Sequence, residues 1–154
     1  MHNRILSMDI AKRIITVILF VFLNNTAQAE EYRNVEVTKL MTSSTSSNGQ
    51  PLNYIRTDHP EVTASLVRIS PGNATGWHQH PVPVYAYMLE GSLTVELKNG
   101  KKYFFKKGDA IFEVMNTLHN GYNSGSEPAT LVVFYTGAEG MPNVIKEVRA
   151  ATSE

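Results

Sequence analysis

The stretch GWHQHPVPVYAYMLEGSLTVELKNGK, Gly76 to Lys101, places two histidines one residue apart ahead of an apolar segment, a turn glycine, a clean alternation and an Asn-Gly pair. Successive residues of a strand point to opposite faces, so in SLTVEL the side chains of Leu93, Val95 and Leu97 form one apolar face opposite Ser92, Thr94 and Glu96. Asn99-Gly100 then predicts a tight hairpin of type I′, whose two central residues need positive φ. Val84 to Leu89 is apolar or aromatic on both faces. Both must be covered, one by an interior and the other by a second sheet, an arm or another subunit.

Outward from this stretch, turn signals recur at short intervals: SNGQP (Ser47 to Pro51), SPGNATG (Ser70 to Gly76), KKGD (Lys106 to Asp109) and NSGSEP (Asn123 to Pro128). The β-branched and aromatic runs between them predict strands at Tyr54–Arg56, Val62–Ile69, Val84–Leu89, Leu93–Leu97, Lys102–Phe105, Ala110–Met115 and Thr130–Thr136. Beyond the first thirty residues no stretch sustains helical periodicity, so the expected class is all-β, a sandwich or barrel. The Ser/Thr-rich run Thr42 to Gln50 reads as a flexible loop. Lys98 to Lys107, the one basic cluster, straddles the predicted hairpin and reads as a solvated edge.

Lys12 and Arg13 precede the apolar run Ile14 to Leu23, and Ala27-Gln28-Ala29 follows as a small-x-small cleavage site. This is the pattern of an export leader over residues 1–29, with Met1 and Met8 equally good initiators, and it implies a periplasmic or secreted protein. The run has ten residues, against roughly 20 for a spanning helix, so no membrane association is expected after cleavage. The remaining 125 residues suit one domain. It divides into an N-terminal arm with the first strands (30–60), a barrel core (61–137) and a C-terminal arm or tail (138–154). Of the 14 basic and 14 acidic residues, the leader takes Arg4, Lys12, Arg13 and Asp9, so the rest carries about −2. Such near-neutrality without a basic stripe argues against nucleic acid. Cysteine is absent, which excludes disulfides, thiol chemistry and thiolate metal sites. Any metal must be held by histidine and oxygen.

Beyond the leader the chain has four histidines, His59, His78, His80 and His119. On a strand, His78 and His80 project from one face about 7 Å apart, close enough to converge on one ion. The spacing around them is specific. Gly72 is followed by His78, His80, Val84 and Gly91; Gly108 is followed by Val114, Asn116, His119 and Asn123. Over roughly Ser65 to Thr136 this pattern resembles the two-motif signature of the cupin superfamily, whose first motif supplies two histidines and a glutamate and whose second supplies a third histidine. The resemblance implies a double-sheet jelly-roll barrel with a divalent metal (Fe, Mn, Ni or Zn) on His78, His80 and His119, and it makes a homodimer the expected assembly. Tyr85, Tyr87 and Leu89 offer an apolar outer face for such pairing.

The sequence departs from that signature at three positions. Val114 and Asn116 stand where the second motif usually has Pro and Gly. Val84 stands at the glutamate position, and valine cannot bind a metal. Three neutral imidazoles are still sufficient, and losing the carboxylate favours an anionic, chelating partner; some members with a three-histidine iron site are dioxygenases. Glu113 is the one carboxylate placed to compensate, as a surrogate ligand, an acceptor for a histidine N–H, or a general base, with a surface or interface ion pair as the alternative. Of Trp77, Tyr85, Tyr87, Tyr122 and Tyr135, all expected to pack, Tyr122 is the candidate proton donor because it follows His119 by three residues. His59 and Asp109 read as structural. The readings left open are a metal-dependent enzyme on a small anionic molecule, dioxygenase-like if the ion is iron or an isomerase or lyase otherwise, a small-molecule or metal binding and sensing module, and a metal-free scaffold barrel.

Overall fold

Among the described residues nine strands, alternating in burial along most of their length, build two antiparallel sheets that face each other across an apolar interior. The structure, a computed structural model, describes residues 34–148; the leader assigned to residues 1–29 and the last tail residues lie outside the described residues. The strands are β1 (Pro60–Ile69), β2 (His78–Gln79), β3 (Val84–Glu90), β4 (Ser92–Leu97), β5 (Lys102–Lys106), β6 (Ala110–Phe112), β7 (His119–Tyr122), β8 (Ala129–Ala138) and β9 (Ile145–Lys146). One sheet has the order β1-β8-β3-β6 and the other β5-β4-β7-β2-β9. No helix occurs among the described residues. From Lys39 onward the chain forms one compact unit, an all-β jelly roll.

Alternation assigns the faces as the sequence predicts. In β4 the side chains of Leu93, Val95 and Leu97 are buried, as are Val84, Ala86 and Met88 of β3. Leu93 and Val95 from one sheet meet Val84, Ala86 and Met88, with Ile111, Leu131 and Val133 of the strands beside β3, in a single core. Met88 is fully buried, and truncating such a side chain to alanine costs about 2–5 kcal/mol. The basic cluster lies on β5, the edge strand of its sheet. There Lys102 and Lys106 are exposed, and charged side chains on a free edge oppose pairing with another chain.

Three local expectations change. The Asn99-Gly100 hairpin is not type I′: Gly100 has φ +81°, but Asn99 does not have positive φ. Gly100 N–H donates to the Leu97 carbonyl and Leu97 N–H to the Lys101 carbonyl, each at 2.9 Å, the pattern of a type I turn closed by a glycine bulge. The run Thr42 to Gln50 is built rather than loose. Ser46 is buried, and Ser47 reaches the Phe112 carbonyl with both its N–H and its hydroxyl, at 2.8 and 2.7 Å. It thereby covers the free edge of β6, a role that composition does not signal. Tyr54–Arg56 forms no strand, and the tail contributes β9 instead.

Asn116 explains how the chain dispenses with a glycine. Its φ is +50°, the left-handed region that asparagine tolerates better than other side chains. Its N–H donates to the His80 carbonyl at 2.8 Å, tying the segment before β7 to the residue after β2. Asn116→Gly is expected to leave stability within about 0.5 kcal/mol, whereas Asn116→Val should cost about 1–3 kcal/mol in urea unfolding. Equal stability of the two variants would mean that this turn is not held in the left-handed region.

Candidate metal centre

Strand pairing alone brings two of the histidines together: His78 of β2 is the direct antiparallel partner of His119 of β7. β2 stops after Gln79, because Pro81 and Pro83 have no N–H to continue a ladder. His80 leaves the strand and forms an isolated bridge to Met115. The three rings converge with centroids 4.3 to 5.0 Å apart, and their candidate ligand atoms lie within 4.8 Å of one another. All three side chains are buried.

Each ring is held in the same way. The Nδ1 atoms of His78, His80 and His119 lie 2.8 Å from the main-chain carbonyls of Gly76, Asn143 and Thr117. A carbonyl only accepts, so each Nδ1 carries the proton and each Nε2 presents a lone pair. Burial lowers the pKa of all three rings, His80 down to about 4, so they are neutral at pH 7. Three buried lone pairs aimed at one point without a donor between them are what a divalent cation requires. The residues present therefore fit a metal.

The surrounding cavity, about 160 Å³, is walled by Val67, Ile69, Val84, Leu93, Leu131 and Val133. Val84 is buried at the position where a carboxylate was missing from the sequence pattern. Glu113 does point into the cavity, and its Oε2 lies 3.7 Å from His119 Nε2. Burial pushes its pKa up to about 7. The two do not form an ion pair at neutral pH, since the His119 ring is uncharged.

Tyr122 is a correction. Along β7 His119 and Gly121 are buried while Asn120 and Tyr122 point the other way, and the Tyr122 ring lies 5.8 Å from the Lys102 ammonium, outside the cavity. The tyrosine that reaches the site is Tyr135 of β8, which lines the cavity with its ring 5.6 Å from that of His80. Burial, with a smaller contribution from Glu113, raises its pKa. Tyr135 sits in phase with Val133 and Leu131, so its inward direction is legible from alternation once β8 is drawn.

The tail supplies the rest of the site. Asn143 gives the carbonyl that orients His80, and Val144 and Lys146 line the cavity mouth. β9 adds to the free edge of β2, with Lys146 opposite His78. Glu147 N–H donates to the Trp77 carbonyl at 2.9 Å, and the Glu147 carboxylate meets Lys98, whose ammonium sits 4.1 Å from the Trp77 ring centre.

A cupin domain profile matches residues 65–135, a span that contains all three histidines. The barrel is a cupin. Among solved structures, this cupin resembles the polyketide cyclase RemF from Streptomyces resistomycificus, with a TM-score of 0.50 at 22% identity over 58% of this chain and 63% of that one. It also resembles a Lactobacillus farciminis oxalate decarboxylase in complex with formate (TM-score 0.48, 23% identity, 55% of this chain and 26% of that one). A cupin 2 conserved barrel domain protein from Salinispora arenicola gives a TM-score of 0.44 at 19% identity, over 48% of this chain and 61% of that one. The chain spans less than two thirds of each, and at these identities the likeness is one of fold. No significant match to a curated protein was found.

Because Asn143 fixes the His80 ring, ending the chain after Gly140 should weaken metal binding by about 10–100-fold, the usual cost of losing a ligand's outer hydrogen bond. Competition against a chromophoric chelator measures it. Unchanged affinity would show that His80 holds its orientation without the tail.

Proposed function

We propose that this protein is an exported cupin that holds one divalent metal ion on His78, His80 and His119 and acts as a metal-dependent enzyme on a small anionic molecule. The observation that carries this reading is the shared restraint of the three rings, each Nδ1–H on a carbonyl at 2.8 Å and each Nε2 free. A barrel serving only as a scaffold has no use for three buried imidazoles locked in one tautomer. The bound ion would supply Lewis acidity, or oxygen chemistry if it is iron.

The chain's own residues support a small anion as partner. Neutral imidazoles leave the ion's charge uncompensated, and Lys146 adds a positive group at the mouth. The aliphatic wall excludes water from the apolar part of a ligand and strengthens electrostatic contacts inside. Besides the histidines and Lys146 at the mouth, Glu113 and Tyr135 line the cavity as groups able to exchange a proton. With Tyr122 outside, this set is sparse, which favours the second reading: a binding or sensing cupin that holds metal and ligand without turnover.

Metal content of the protein beginning at Glu30, purified without tag or chelator, is the first test. Near-stoichiometric iron, manganese, nickel or zinc is expected by mass spectrometry, and none in a His78→Ala, His119→Ala variant. No metal in either protein after reconstitution with all four ions would end both metal-based readings.

The homodimer is proposed on the outer face of the four-stranded sheet. Val62 and Leu66 of β1 are 63% and 70% exposed and stand beside Phe134 of β8, 44% exposed. Tyr85 and Phe112, packed edge to face at 5.5 Å, and Leu89 flank the same sheet. Sedimentation velocity should show a dimer that Leu66→Glu converts to monomer; a monomeric wild type at micromolar concentration would refute the assembly.

A further inference from the structure

The carboxylate that Val84 lacks returns to the cavity from the neighbouring strand. Glu113 N–H donates to the Val84 carbonyl at 2.9 Å, one step beyond the ladder pair Tyr85 and Phe112. Residues opposed across an antiparallel pair project to the same face, and both Val84 and Glu113 line the cavity. A carboxylate moved from β3 to the strand beside it therefore opens into the same space.

Its surroundings are those of a ligand. The Glu113 side chain is 13% exposed, and no hydrogen-bond donor among the described residues reaches its carboxylate. His119 Nε2 lies 3.7 Å from its Oε2, with the lone pair free because Nδ1–H is committed to Thr117. Two acceptors face each other across a gap too long for a hydrogen bond. Two ligands each about 2.1 Å from one ion are about 3.0–3.6 Å apart at bond angles of about 90–120°. The observed gap is close to that span.

We propose, on the basis of the three-histidine reading, that Glu113 is a fourth protein ligand, so that the centre is a three-histidine, one-carboxylate site whose acid comes from the second motif instead of the first. The carboxylate lowers the formal charge of a divalent centre to +1, which matches a monoanionic ligand. It adds an oxygen donor, which suits manganese and iron as well as zinc.

The test uses the cobalt(II)-substituted full chain, whose visible spectrum reports the ligand set. Glu113→Gln keeps the shape and removes the charge. The expected result is a changed cobalt spectrum and an affinity loss beyond the ~10–100-fold that an outer-sphere partner costs. A swapped variant, Val84→Glu with Glu113→Val, should restore affinity to within about tenfold of wild type if it melts as a folded protein. An unchanged spectrum in Glu113→Gln, whatever its affinity, makes Glu113 an outer partner and overturns the proposal while leaving the histidine centre standing. A wild type that binds no cobalt overturns the histidine reading and this one with it.

Discussion

Three hydrogen bonds of one kind, each from an imidazole Nδ1–H to a main-chain carbonyl, set what this barrel can hold. Burying a histidine removes its solvation, and a ring left free to rotate would find some partner for both nitrogens. Here each ring has one nitrogen satisfied by backbone and the other left in the cavity. The backbone segments whose carbonyls accept those bonds are the turn before β2, the turn before β7 and the tail. Positioning the site is therefore a matter of where three short, irregular segments run, and the two sheets exist in part to fix them. The β2–β7 pairing that sets His78 against His119 is the shortest ladder in the barrel, yet the whole centre hangs on its register.

Much of this was legible in the residues. Alternation in β4 and the turn spacing point to the all-β class, and the glycine and histidine spacing points to the family and to the three histidines that the structure brings together. What was not legible has physical causes. β7 reads His-Asn-Gly-Tyr and β2 is two residues long, so neither offers a run of β-branched side chains; pairing across the barrel makes them strands. Tyr122 is close to His119 in sequence, but an odd separation along a strand sends a side chain to the other face. The Ser/Thr run looked loose because its hydrogen bonds go to Phe112, 65 residues away. The Asn-Gly turn took a type I geometry because Leu97, Gly100 and Lys101 close a longer loop than the dipeptide suggests.

Val84 shows the limit of reading a site from one motif. A signature assigns a ligand to a position in the chain, whereas a metal responds to a position in space. Antiparallel strands place two residues from distant parts of the sequence at one spot on one face, so a ligand can change strands without moving far. Glu113 neighbours Val84 through a main-chain hydrogen bond at 2.9 Å and is separated from it by 29 positions in sequence. With Glu113 as the proposed fourth ligand, a motif broken along the chain would be complete across it.

The tail ties this geometry to the outside of the barrel. Of its contacts, the Lys98–Glu147 pair is about half exposed on the lysine side and a third on the glutamate side, and pairs of that kind contribute about 0–1 kcal/mol. The pairing of β9 with β2 covers only two residues. The contact made in buried surroundings is the hydrogen bond from His80 to the Asn143 carbonyl, 63 positions apart. Whatever fixes the His80 ring also holds the tail across the cavity mouth, and by linkage a seated tail favours whatever binds His80. Were a metal bound at His80, its occupancy and the seating of Val144 and Lys146 would be coupled through that single imidazole.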